Sequence, residues 1–109
     1  MAKLEKTLPG TLGQWVEKIT LGIQEGSVSA SLEESSDFRN GDARVAVRVF
    51  ERYSWTGSNR VSLSVTLFQN GDSPVYLSAI TSGGSQAMLF KMNTMGEEAF
   101  LDKLRELID

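Results

Sequence analysis

Arg60-Val61-Ser62-Leu63-Ser64-Val65-Thr66-Leu67-Phe68-Gln69 sets a branched aliphatic residue against a small hydroxyl for three full periods and adds a fourth with Leu67-Phe68. Side chains alternate sides along a strand, so this run lays Val61, Leu63, Val65 and Leu67 on a core and turns Ser62, Ser64, Thr66 and Phe68 outward. A helix would scatter the same residues around its circumference. The run is therefore a half-buried strand, and its neighbours read in the same way.

Working outward, strands are predicted over Ser27–Glu33, Asp42–Trp55 and Val75–Thr81. Matching the aliphatic residues gives a core set of Val28, Ala30 and Leu32, then Val45, Val47 and Val49, then Val75, Leu77 and Ala79. The outward set becomes Ser27, Ser29, Ser31, Arg44, Arg48, Phe50, Arg52, Tyr76, Ser78 and Ile80. Asn40-Gly41-Asp42 and Asn70-Gly71-Asp72 are turns, because Asn and Gly tolerate positive φ. Across the second turn, face matching sets Phe68 opposite Tyr76 and Leu67 opposite Leu77. Between the second and third strands, matching odd positions to odd positions demands an odd loop such as Thr56-Gly57-Ser58. Glu51 then sits on the aliphatic parity, with Tyr53 and Trp55, and is expected to emerge past a helix edge; if buried it would need a partner such as Lys91.

Two helices flank the strands. Thr11 and Gln14 form a capping box, followed by Leu12, Trp15, Val16, Ile19 and Ile23 on one stripe, with Gly26 as the stop. Gly13 and Gly22 each cost this helix about 1 kcal/mol relative to Ala. At the other end, Phe100, Leu101, Leu104, Leu107 and Ile108 form a second stripe opposite Glu98, Asp102, Lys103 and Arg105. Thr94 and Glu97 read as its capping box, with Glu97 and Glu98 complementing the helix dipole. The run 87–92 is predicted as a short fifth strand, and residues 2–8, with Leu4 and Leu8, as a weak first one. The fold class is α+β: a two-layer antiparallel meander of four to six strands, with the N-terminal and C-terminal amphipathic helices on its aliphatic face, in the order β-α-β(4–5)-α.

The chain of 109 residues suits one domain spanning 1–109. Its 40% apolar and 23% charged composition is that of a soluble globular protein. Met1-Ala2-Lys3-Leu4-Glu5-Lys6 lacks a signal core, and no apolar run is long enough to span a bilayer. No membrane is expected as a partner, and the expected setting is the cytoplasm. A net charge of −3 argues against duplex nucleic acid. The absence of His and Cys removes the usual general base, the thiol nucleophile and the commonest metal ligands. The expectation is a non-enzyme with no cofactor and no metal.

The segment Ile80-Thr81-Ser82-Gly83-Gly84-Ser85-Gln86-Ala87-Met88-Leu89-Phe90-Lys91-Met92-Asn93-Thr94, followed by Gly96-Glu97-Glu98-Ala99-Phe100-Leu101, resembles the C-terminal part of a family of small bacterial proteins of unknown function. Arg60–Leu67 is similar to their central strand. The resemblance implies a bacterial cytosolic origin and carries over no catalytic residue. The element order is similar to TATA-binding-protein-like and helix-grip folds, a likeness of architecture only.

Arginine with aromatics and few carboxylates is the composition of an interface core. A candidate binding face follows: Arg44, Arg48, Phe50, Arg52, Ser62, Ser64, Thr66, Phe68 and Tyr76, for a second copy, a protein partner or an anionic ligand. The bland alternative is a solvated face that uses Ser and Thr because they suit strands. Ser82-Gly83-Gly84-Ser85 is a candidate anion nest, or simply a glycine turn. A third candidate is an apolar ligand pocket between helices and sheet, near Ala30, Ala79, Trp15, Met88, Met92 and Met95, which would make the chain a small-ligand carrier; ordinary core packing is the alternative. Glu33, Glu34 and Asp37 read as an acidic loop.

Overall fold

The structure is a computed structural model and describes residues 1–26, 29–53, 60–83 and 90–109. In chain order it runs β1 (Ala2–Leu8), α1 (Leu12–Gly26), β2 (Ser31–Asn40), β3 (Ala43–Tyr53), β4 (Arg60–Asn70), β5 (Val75–Gly83) and α2 (Phe90–Ile108). All strand pairs are antiparallel, in the order β1-β5-β4-β3-β2. The expected α+β class and element order hold, and the weak first strand is real: β1 closes the sheet against β5, with Leu4 opposite Ala79 and Leu8 opposite Val75.

Both helices lie on one face of the sheet, α2 against β5, β1 and β4, and α1 against β2, β3, β4 and α2. Each presents the stripe its spacing demanded. Leu12, Ile19 and Ile23 of α1 are buried, as are Phe100, Leu101, Leu104 and Ile108 of α2. They meet Val61, Leu63, Val65 and Leu67 of β4 and Val75, Leu77 and Ala79 of β5 in one core. The helices cross closely at Gly22, where an added Cβ would stand 2.3 Å from Leu107 Cδ2. The helix propensity lost at Gly22 is thus spent on that close approach.

The turns follow the sequence. Gly41 has φ +60° and, with Asp42, joins β2 to β3, and Gly71 has φ +58° in the loop after β4. Phe68 pairs with Tyr76 and Leu67 with Leu77, as face matching required. The two turns are tied together by a hydrogen bond from Gly71 N–H to the Asp42 carbonyl, 2.9 Å.

Four expectations are corrected. Glu33–Asn40 is not an acidic loop but most of β2, an edge strand. A bulge at Glu33 shifts its register between Leu32 and Glu34, so Leu32 faces the core while Phe38 faces away from it. Residues 90–92 open α2 instead of ending a fifth strand, and the rest of that predicted run lies outside the described residues, as do Ser27 and Val28. Thr94 and Glu97 consequently fall inside α2, not at its start, so they are no capping box. Glu97 is instead buried, with its carboxylate 2.8 Å from the amino group of Met1.

The fourth correction is the parity of β3. Its register on β4 pairs Phe50 with Leu63, Arg48 with Val65 and Ala46 with Leu67. Even positions of β3 therefore share the helix-covered face with odd positions of β4. Tyr53 pairs with Arg60, leaving six residues between them where an odd loop was expected. Phe50 and Ala46 are fully buried, whereas Val45, Val47 and Val49 face away from the helices. Burying one phenylalanine completely and docking α1 over a small Ala46 outweighs the half-burial of three valines. The arginines between them cost little, since their stems are apolar and their heads find partners.

Gln69 is the polar centre of this arrangement. It is 3% exposed, yet its four hydrogen-bonding capacities are all met. Its Oε1 accepts from Leu12 N–H at 2.9 Å and from Arg44 Nη2 at 3.1 Å. Its Nε2 donates to the carbonyls of Gly10 and Ser73, both at 2.9 Å. The first turn of α1 is thus capped twice, once by Gln69 and once by the expected Thr11–Gln14 box, whose reciprocal bonds measure 3.4 Å.

Two stability predictions follow from these assignments. Gln69→Leu strands the Leu12 amide beneath the helix start, and should lower the unfolding free energy by about 2 kcal/mol in urea titration; an unchanged midpoint would refute the hub. Phe50→Ala should cost about 3–5 kcal/mol, while Val47→Thr should stay within roughly 0.5–1 kcal/mol. The reverse ranking would restore the parity read from the sequence.

Candidate functional site

The predicted binding face divides between the two sides of the sheet. Phe50 is wholly buried in the core, and Arg44, Arg48 and Arg52 share its helix-covered side. Arg44 donates to Gln69. Arg48, its side chain only 14% exposed, pairs with Asp37 across β2 at 3.0 Å and donates to the Val47 carbonyl at 2.9 Å. The Arg52 guanidinium stacks 4.7 Å from the Phe100 ring centre. Burial lowers its pKa from the ordinary arginine value. The three arginines thus lie along the helix-covered side of β3, where their stems and heads join the packing. They do not form a row on the open face.

Ser62, Ser64, Thr66, Phe68 and Tyr76 are where they were expected, on the face that no helix covers. Their neighbours are not the arginines but the β3 valines. The register gives ladders that cross all five strands. One runs Phe38, Val45, Phe68, Tyr76, Thr7; the next runs Ser36, Val47, Thr66, Ser78, Glu5; the third runs Glu34, Val49, Ser64, Ile80, Lys3. Phe38 is 69% exposed, Tyr76 50% and Ile80 44%. The Phe68 and Tyr76 rings lean together with centres 6.5 Å apart. Cross-strand aromatic and β-branched pairs of this kind stiffen a sheet surface.

Charge is confined to the margin of this face. On β3 from Ala43 to Val49, on β4 between Arg60 and Asn70, and on β5, no outward position is charged. Lys3 and Glu5 sit on edge strand β1, 3.9 Å apart, and Glu34 on edge strand β2. At the end of the sheet Glu51 pairs with Arg60, whose guanidinium also lies 5.4 Å from the Tyr53 ring centre. Glu51 had stood out in the sequence as a carboxylate on aliphatic parity. That anomaly was the visible sign that the parity of its strand was inverted. Phe38 was missed altogether, because its segment read as a loop.

A shallow groove of about 410 Å³ opens on the same face beside β1, lined by Glu5, Thr7, Thr66, Phe68, Tyr76 and Ser78. Beneath the helices, at the place of the predicted ligand pocket, Ala79 is fully buried in the core and Ala30 and Trp15 pack against it. Met88 lies outside the described residues, and Met92 and Met95 fall within the first turns of α2. Of the candidate nest, Ser82 and Gly83 belong to the β5 ladder opposite Ser62 and Val61. The Ser62 and Ser82 hydroxyls share a hydrogen bond of 2.8 Å. Gly84 and Ser85 lie outside the described residues. Among the described residues no group of three or more acidic, His or Cys side chains converges to hold a metal. No helix among them is long and apolar enough to cross a membrane.

No curated protein and no solved structure matches the chain. The resemblance seen in the sequence does have a counterpart. A family of unknown function (DUF6054) matches residues 1–109, the whole of its length, and the chain belongs to that family.

Proposed function

We propose that the protein is a non-catalytic self-association module that pairs with a second copy through the open face of its sheet. The single observation behind this reading is the uncharged, half-apolar centre of that face within a charged margin. A face made for water would alternate Lys and Glu along β3, β4 and β5; depletion of charge with aromatic enrichment is what distinguishes an interface core. A second copy fits this centre because a neutral patch placed on itself meets no like charge, as a twofold interface requires.

Size agrees. Five strands at about 4.8 Å spacing and some 30 Å of length give on the order of 700 Å² per copy, against roughly 800 Å² per partner in a stable complex. The other route to pairing, edge to edge along β2, is opposed by that strand's own features. It carries the Glu33 bulge and the charges of Glu34, Asp37 and Arg39, which are devices that discourage strand addition. The cysteine-free composition suits the cytoplasm as the place where such a module works.

Light scattering after size exclusion should give twice the chain mass of 12.0 kDa for the wild type. Val47→Glu, a charge set in the middle of the face, should give a folded monomer with an unchanged circular dichroism spectrum. A wild type that stays monomeric from micromolar to millimolar concentration would end the proposal.

A further inference from the structure

Given self-association through the open face, the geometry points to one arrangement: a twofold axis parallel to the strands along β4, seating Phe38 of each copy in the groove beside Tyr76 of the other. We infer this from three coincidences of position. β4 is the central strand, with β1 and β2 each two strands away on opposite sides. A twofold axis running along β4, between the two facing sheets, therefore lays β2 of one copy over β1 of the other and keeps every residue at its own level along the strands.

The second coincidence is level. Phe38 belongs to the same ladder as Tyr76 and Thr7, so the operation that carries β2 over β1 brings Phe38 above those residues without any sliding. The third is shape. Among the described residues Phe38 is the most exposed aromatic residue on the face, at 69%, and the groove of about 410 Å³ lies where its ring would land. Its walls suit a phenyl ring: Phe68 and Tyr76 supply ring faces and edges, and Thr7 and Thr66 supply methyl groups. Symmetry makes the contact twice, once at each side of the interface, with the β4 hydroxyls of Ser64 and Thr66 facing their own copies in the middle.

A twofold axis running across the strands would instead lay β2 over β2 and leave the groove empty. So would an edge-to-edge pair. The three arrangements differ in which residues come together, and the chain contains no cysteine, so introduced thiols report without background.

Phe38→Cys and Thr7→Cys proteins, mixed and treated with a short bis-maleimide, should give a cross-linked heterodimer in high yield. Each alone should give little, since two copies of Phe38 stand about 19 Å apart across the interface. Thr66→Cys alone should cross-link to itself. Phe38→Ala should weaken dimerisation about 30-fold while leaving the urea midpoint unchanged, as expected for an exposed ring that anchors an interface. Self-cross-linking of Ser36→Cys, which demands β2 beside β2, would overturn the arrangement. So would a wild-type dimer that Val47→Glu disrupts and Phe38→Ala does not, an outcome that leaves the open-face reading standing. A monomeric wild type removes both.

Discussion

The pairing of β3 on β4, with Phe50 opposite Leu63, is the constraint on which the rest of the structure depends. It commits five alternate residues of β3 to the helix-covered side and the six between and beside them to the other. From it follow the burial of Ala46, the position of Arg52 beside Phe100, and the placing of three half-buried valines on the open face. A slip of one residue would exchange every one of these environments. On its other side β3 carries β2, joined at Gly41-Asp42 by a tight turn and shifted at Glu33 by a bulge that lets Leu32 join the core while the rest of β2 turns Phe38 outward.

The covered face shows how a core can accept arginine. The three β3 arginines contribute apolar stems and place their heads on Gln69, on Asp37 and on an aromatic ring. Each is a cation placed where its desolvation is shared with a partner. Gln69 completes the same pattern at the start of α1. One amide side chain there satisfies a helix amide, an arginine and two loop carbonyls, binding β4, α1 and both neighbouring turns into one unit. Polar groups so fully satisfied specify geometry, since no alternative packing would meet all of their bonds at once.

On the open face the same register has the opposite consequence. Branched aliphatic side chains that would ordinarily be core are left without cover, between Ser and Thr on one side and a polar edge on the other. The family to which the chain belongs has no assigned function, so this surface is the feature from which a role is reasoned. Its uncharged centre and its size are the grounds of the proposed self-association.

The sequence by itself determined the elements and most of their faces. Both helices present the stripes their spacing predicted, β4 and β5 keep strict alternation, and the Phe68–Tyr76 and Leu67–Leu77 pairs follow from parity together with the position of the turn at Asn70-Gly71-Asp72. These were legible because each face is unambiguous: one parity is aliphatic and the other is not. β3 is different, since Val45, Val47 and Val49 compete with Ala46 and Phe50 for the core, and local pattern favours the valines. Only the tertiary structure decides, because the decision turns on what fits beneath α1 and on partners as distant in sequence as Asp37, Gln69 and Phe100. The edge strand β2 was hidden for a related reason. Its polar residues carry no alternation, and a strand exposed on both faces is defined by the hydrogen bonds of its neighbour, not by its own side chains.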